Sequence, residues 1–165
     1  MNITGFNRRT ELQNELHAWL RDDYDFKWMV TLTFRTPPKR KETVFQKLGK
    51  LYSMVSRKCY GKYATRVHPD INRISFFPVL EQNADGDGYH VHLLLEDHHP
   101  EAFHKHGKKQ ITEELIQVWK KLSGNATEYD VQEVEQRADN KLIHYVLKRL
   151  KHDSELASFD FLRKK

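Results

Sequence analysis

Leu12, Leu16, Trp19 and Leu20 recur at helical spacing through RTELQNELHAWLR, 9–21, and predict an N-terminal helix with Thr10 as its N-cap. The pattern then changes. FKWMVTLTF, 26–34, is rich in β-branched and aromatic residues and stops at Thr36-Pro37-Pro38, which predicts a strand. Val44, Phe45, Leu48, Leu51, Tyr52 and Val55 predict a long amphipathic helix over 41–58, with basic residues on its outer face. YGKY and HPD make a loop. RISFFPVLE, 73–81, predicts a second strand, in which Pro78 calls for an edge position or a bulge because it has no N–H to give a ladder. NADGDG is a turn and GYHVHLLLE, 88–96, a third strand. ITEELIQVWKKL, 111–122, predicts a helix, TEYDVQEVE, 127–135, a short strand, and ADNKLIHYVLKRLK, 138–151, a last helix. The tail beyond 151 has no clear element, though SFDFL is apolar enough to fold back on the core.

The order is a helix followed by β-α-β-β-α-β-α. Without its first helix this is the split β-α-β plan, so the expected fold class is α+β: a ferredoxin-like or RRM-like antiparallel sheet with helices packed on it and an extra N-terminal helix. Residues 1–165 are expected to form a single domain, with no internal repeat, low-complexity tract or interdomain linker. Many functions share that plan, so the fold alone does not select one.

Composition narrows the classes. Hydrophobic residues make up 38% of the chain and charged ones 31%, as in a globular protein rather than a disordered one. No apolar run approaches the ~18 residues of a membrane span, and MNITGFNRRTELQNEL lacks the apolar core of a signal peptide, so a cytoplasmic protein without membrane contact is expected. With Cys59 as the single cysteine, an internal disulfide and a multi-cysteine zinc site are excluded. The net charge of +5 favours a polyanionic partner.

The chemistry concentrates in two places. In a strand alternate side chains share a face, so Tyr89, Val91, Leu93 and Leu95 point one way, and His90, His92, Leu94 and Glu96 the other. Two imidazoles at i and i+2 can converge on one divalent ion; the competing reading is two half-exposed histidines on a solvent face. Glu81 ends the preceding strand. If the turn closes a hairpin, its carboxylate is a candidate third ligand, and otherwise an ordinary exposed carboxylate. A set of two histidines and one carboxylate suits Mg2+ or Mn2+ bound jointly with a phosphate oxygen. In the last helix Ala138, Leu142, Ile143, Val146, Leu147 and Leu150 form the apolar stripe, and Lys141, Tyr145, Lys148 and His152 a narrow stripe beside it. Tyr145 thus stands next to two ammonium groups that attract phosphate; it also fits a boundary tyrosine beside snorkelling lysines.

Other candidates carry less. Asn83, Asp85, Asp87 and Gly88 have the opening spacing of a calcium loop, but its twelfth position is Leu94, so a hairpin turn on Asp-Gly is the simpler reading. His98, His99, His104 and His106 are read as part of a solvated loop with Pro100 and Gly107, adventitious metal binding being the alternative. Tyr129 shares a strand face with Val131, which suggests packing.

Three motifs in order resemble the HUH endonucleases, specifically their replication-initiator branch. MVTLTF, 29–34, is similar to the family's first motif, a strand beneath the site; HVHLLL, 90–95, to its histidine–hydrophobic–histidine motif; and YVLK, 145–148, to its tyrosine–x–x–lysine motif on a downstream helix. The resemblance spans roughly 26–150 and implies a single-tyrosine nuclease domain of a rolling-circle replication initiator. It makes His90, His92 and Glu81 ligands of Mg2+ or Mn2+, Tyr145 the nucleophile, and Lys148 an assistant near the scissile phosphate. Lys141, Lys148 and His152 would contact nucleic acid. The implied activity is sequence-specific nicking and joining of single-stranded DNA at an origin or hairpin, through a covalent 5′-phosphotyrosine. Host helicase or replication proteins are possible partners. The single-tyrosine transposases share a similar histidine motif but usually carry glutamine after the tyrosine. A non-catalytic single-stranded nucleic-acid module of the same topology is the alternative of another class.

Overall fold

The computed structural model describes residues 4–134, 139–148 and 157–164. Nine elements follow in order: α1 (Thr4–Asp23), β1 (Phe26–Leu32), α2 (Lys41–Tyr60), α3 (Ala64–Val67), β2 (Phe76–Gln82), β3 (Tyr89–Glu96), α4 (Ile111–Leu122), β4 (Tyr129–Glu133) and α5 (Asp139–Lys148). The strands form one antiparallel sheet in the order β2-β3-β1-β4. β3 is thus inserted between β1 and β2, the split β-α-β plan expected from the element order. Among the described residues no helix is long and apolar enough to cross a membrane.

Helices cover both faces of the sheet. On one face Val30, Leu32, Phe76, Leu80, Val91, Leu93 and Leu95 pack against apolar residues of α2 and α4, including Leu48, Leu51, Leu115 and Trp119. On the other, Met29, Phe77, Val79 and Leu94 meet Leu20 of α1 and Ile143, Val146 and Leu147 of α5. Double cover explains the unbroken leucine run of β3: Leu93, Leu94 and Leu95 are all fully buried, although successive side chains point to opposite faces. It also leaves His90 and His92 on the α1/α5 face, one step from the apolar layer.

Pro78 lies in β2, an edge strand, where its missing N–H costs the ladder nothing. That edge is covered by the C-terminal segment. Val79 bridges Ala157, Phe76 N–H donates to the Phe161 carbonyl at 3.0 Å, and Arg163 N–H donates to Ser75 Oγ at 3.0 Å. The Phe161 ring stacks on Phe76 at 4.9 Å, so SFDFL does fold back on the core, and the chain itself protects a strand edge that would otherwise invite pairing.

Several local expectations need correction. Thr10 is inside α1 rather than at its cap, because nothing in the preceding residues stops a helix. The loop after α2 contains the one-turn helix α3. His98 is buried, not solvated. Its Nε2 lies 2.7 Å from the Lys109 carbonyl, which can only accept, so Nε2 carries the proton and Nδ1 accepts from the Tyr60 hydroxyl at 2.7 Å. Burial holds this imidazole below its ordinary pKa and pushes the Tyr60 phenol up. Tyr129 and Val131 are exposed on β4, the other edge strand, where the Lys120 ammonium of α4 sits 5.1 Å from the Tyr129 ring centre.

The β2–β3 turn depends on one glycine. Gly88 has φ +79, and a Cβ there would lie 2.7 Å from Pro37 Cβ and 2.8 Å from the Pro37 and Pro38 carbonyl oxygens. Gly88→Ala is expected to destabilise the protein by about 2 kcal/mol, through left-handed backbone strain plus the clash. A urea midpoint equal to that of the parent would refute this.

Candidate metal centre

Glu81 and His90 are directly opposed across the β2–β3 ladder, and Val79 is opposed to His92. Because side chains alternate, this register puts Glu81, His90 and His92 on one face, where cross-strand neighbours are close enough for long side chains to meet. Glu81 Oε2 lies 2.8 Å from His92 Nε2 and 3.4 Å from His90 Nε2. The imidazole centroids are 5.0 Å apart and nearly perpendicular. All three side chains are largely buried, His92 the most deeply.

The far nitrogens are held as firmly as the near ones. His90 Nδ1 lies 2.8 Å from Asn83 Oδ1, and the Asn83 amide is fixed in that orientation because its Nδ2 donates to the Asp87 carbonyl at 2.9 Å. Asn83 Oδ1 can only accept, so His90 Nδ1 carries a proton. A neutral His90 therefore directs an Nε2 lone pair toward the Glu81 carboxylate at 3.4 Å. Two acceptors facing each other call for a cation between them, either a second proton on the ring or a metal ion. His92 Nδ1 lies 3.1 Å from Thr31 Oγ1 on β1. Outer partners that fix imidazole tautomers are the usual support of metal-ligating histidines.

Among the described residues Glu81, His90 and His92 are the group whose donor atoms can share an ion, all within 4.8 Å of one another. Octahedral ions with bonds of ~2.1 Å place neighbouring ligands ~3 Å apart, close to the spacing here, so the donor set fits a divalent cation with positions left for other oxygens.

Tyr145 is brought to this cluster from α5. Its ring centroid lies 6.1 Å from that of His92, at 83°, and the side chain is exposed. The expected stripe accounts for this: Ile143, Val146 and Leu147 are buried under the sheet and set the helix rotation, which leaves Tyr145 at the sheet margin. Lys148 is one turn further on. It lines a small groove of about 150 Å3 with Gln13, His144 and Leu147, and among the described residues makes no hydrogen bond or ion pair. The side chain of Lys141, and His152 altogether, lie outside the described residues.

Asn83 and Thr31 carry roles that the local pattern does not announce. Asn83 reads as a turn former, and only the hairpin geometry shows that it also holds His90. Thr31 could have been found, since it lies in the strand expected beneath the site. Asn83→Ala and Thr31→Val are each expected to weaken Mn2+ binding about tenfold or more, as loss of an outer partner does. Asn83→Asp, which keeps the acceptor, should recover most of that loss. Isothermal titration giving parental affinity for both deletions would show that these two side chains do not hold the rings.

Comparison with family models, with curated proteins and with solved structures finds no match to this chain, so the geometry of the site bears the functional argument.

Proposed function

We propose that this chain is an HUH-type endonuclease of single-stranded DNA, of the single-tyrosine rolling-circle initiator kind, acting with Mg2+ or Mn2+. The observation that carries this reading is Tyr145 beside the histidines, 6.1 Å from His92 by ring centroid, on a helix that also carries Lys148. A cluster of two histidines and a glutamate alone would suit many metal-dependent hydrolases. An exposed phenol at its edge adds a nucleophile and favours covalent transfer. The helices on both sheet faces also argue against a non-catalytic module that stacks bases on an open sheet.

A divalent ion held by Glu81, His90 and His92 would supply Lewis-acid stabilisation of charge on the non-bridging oxygens of the scissile phosphate. Tyr145 Oη forms a bond to phosphorus as the P–O3′ bond breaks. The phenolic proton is released and the leaving 3′ oxygen gains one. A phosphodiester is thus exchanged for a phosphotyrosine diester without consuming water, and the bond can be resealed by the reverse attack. Lys148 offers positive charge to the same phosphate. A cytoplasmic location and host replication proteins as partners go with this reading.

The test is incubation with mixed single-stranded oligonucleotides and Mn2+, followed by a denaturing gel. A protein band shifted by covalent DNA is the expected result. Absence of an adduct across a sequence-diverse pool, from protein that binds Mn2+, would refute the nuclease reading.

A further inference from the structure

We propose that the corner built by the α2–α3 turn and the loop 99–110 is a second contact for single-stranded nucleic acid. In this contact Tyr63 and Phe103 stack on unpaired bases, while Lys62, Arg66, Lys105 and Lys108 take phosphates. It extends the nucleic-acid reading to a separate surface. The loop follows the far end of β3 from the histidines, and at ~3.3 Å per strand residue the two places are roughly 20 Å apart.

Exposure is the first observation. Tyr63 is 79% exposed and Phe103 58%, the two highest values among the large hydrophobic side chains of the described residues, and Val67 nearby is also exposed. Single exposed apolar residues are ordinary, but two aromatics at one corner are not. The segments that carry them are in contact: a Cβ on Gly61 would lie 3.3 Å from Lys105 Cδ, and Phe103 N–H donates to Asn72 Oδ1 at 2.8 Å.

The corner is also pinned from below. His98 is fixed between the Tyr60 hydroxyl and the Lys109 carbonyl, and the His104 ring packs 4.6 Å from His98 and 5.5 Å from Tyr60. The end of α2 and the loop are thereby joined through the buried rings of Tyr60 and His98 and the half-buried ring of His104. Phe103 is held out on a braced loop, which lowers the ordering cost of using it as a contact.

Charge selects the partner. Among the described residues Lys62, Arg66, Lys105 and Lys108 make no ion pair, while Lys58 and Lys109 are taken up by Glu114 at 2.9 and 3.2 Å. Glu101, Asp70 and Asp97 are the nearby acidic side chains, so the four cations still leave the corner a small positive excess. Aromatics interleaved with such cations match the stacking platforms and charged grooves that hold single strands. A membrane fits less well: the three apolar side chains sit on two segments, and α3, with four residues, is too short to lay an apolar face on lipid.

The test is fluorescence anisotropy with a labelled oligothymidine in EDTA, which removes any contribution of a metal ion. Tyr63→Ala and Phe103→Ala are each expected to weaken binding about tenfold, and Tyr63→Phe to bind like the parent, since the ring is kept. Lys62→Ala/Lys105→Ala should reduce the salt dependence, by about 0.7 in log–log slope for each phosphate no longer neutralised. The double aromatic variant should keep the parental melting temperature and Mn2+ affinity. Parental oligothymidine affinity in that variant would overturn the proposal. So would parent protein that binds phosphatidylserine vesicles and not the oligonucleotide. If binding depends on the two aromatics but no covalent adduct forms with Mn2+, the corner stands and the nuclease reading falls.

Discussion

Tyr145→Phe is expected to leave a folded protein that binds Mn2+ and single-stranded DNA but forms no covalent adduct. The substitution removes one oxygen from an exposed side chain and keeps the ring beside His92, so its cost in stability should stay within about 0.5 kcal/mol. Cleavage should fall by several orders of magnitude, because the group proposed to attack phosphorus is gone. The other six tyrosines are poorly placed to replace it. Tyr60 is buried and hydrogen-bonded to His98, and Tyr24 packs among Trp19 and Phe26. Tyr52 lies under Arg73, and Tyr63 is at the opposite corner. Tyr89 alternates to the other face of β3, and Tyr129 lies under Lys120. Peptide mapping of the adduct formed by the parent protein should therefore locate it within 142–148. Cutting by Tyr145→Phe at the parental rate, or an adduct on another tyrosine, would overturn the assignment.

Replacing both histidines, His90→Ala/His92→Ala, is expected to abolish specific Mn2+ binding, with affinity lowered beyond about 100-fold. The parent protein should gain roughly 5–10 °C in melting temperature at a Mn2+ concentration a hundredfold above Kd, from ~2.7 kcal/mol of linkage, and the variant should gain none. Glu81→Gln should fall between the two, since it keeps shape and removes charge. The His98–His106 loop is the natural control. Both nitrogens of His98 are already engaged, one as donor and one as acceptor, so the loop offers no ready chelate through that ring. Retained affinity in the double variant, seen by titration calorimetry, would move the metal away from β3.

What could be read in the sequence was local, and what could not was long-range. The 3.6-residue pattern of ITEELIQVWKKL matches α4 residue for residue, because its buried Leu115, Ile116, Val118 and Trp119 and its exposed Glu113, Gln117 and Lys120 leave no other rotation. The alternation at His90 and His92 told which side the imidazoles take. It did not tell that Glu81 would face His90, since the register of a hairpin is set by its turn, here closed by Gly88 against two prolines. The burial of His98 was invisible for a similar reason. Its partner is the last residue of α2, and a histidine-rich stretch with proline and glycine looks solvated until that tyrosine is placed beside it. Tyr129 and Val131 failed differently: period two shows that residues share a face, not that a helix reaches far enough to cover it.

The three carboxylate and imidazole donors belong to a single hairpin, while Tyr145 comes from beyond α4 and β4. Low and high contact order are therefore joined at one place. A hairpin closes in about 1–10 μs, whereas docking of α5 must wait for the long-range arrangement of the sheet and α1. The half of the centre formed by Glu81, His90 and His92 rests on local chain closure, and the proposed nucleophile on long-range packing. A half-folded chain would thus hold its ligands together without yet presenting the side chain proposed to attack DNA.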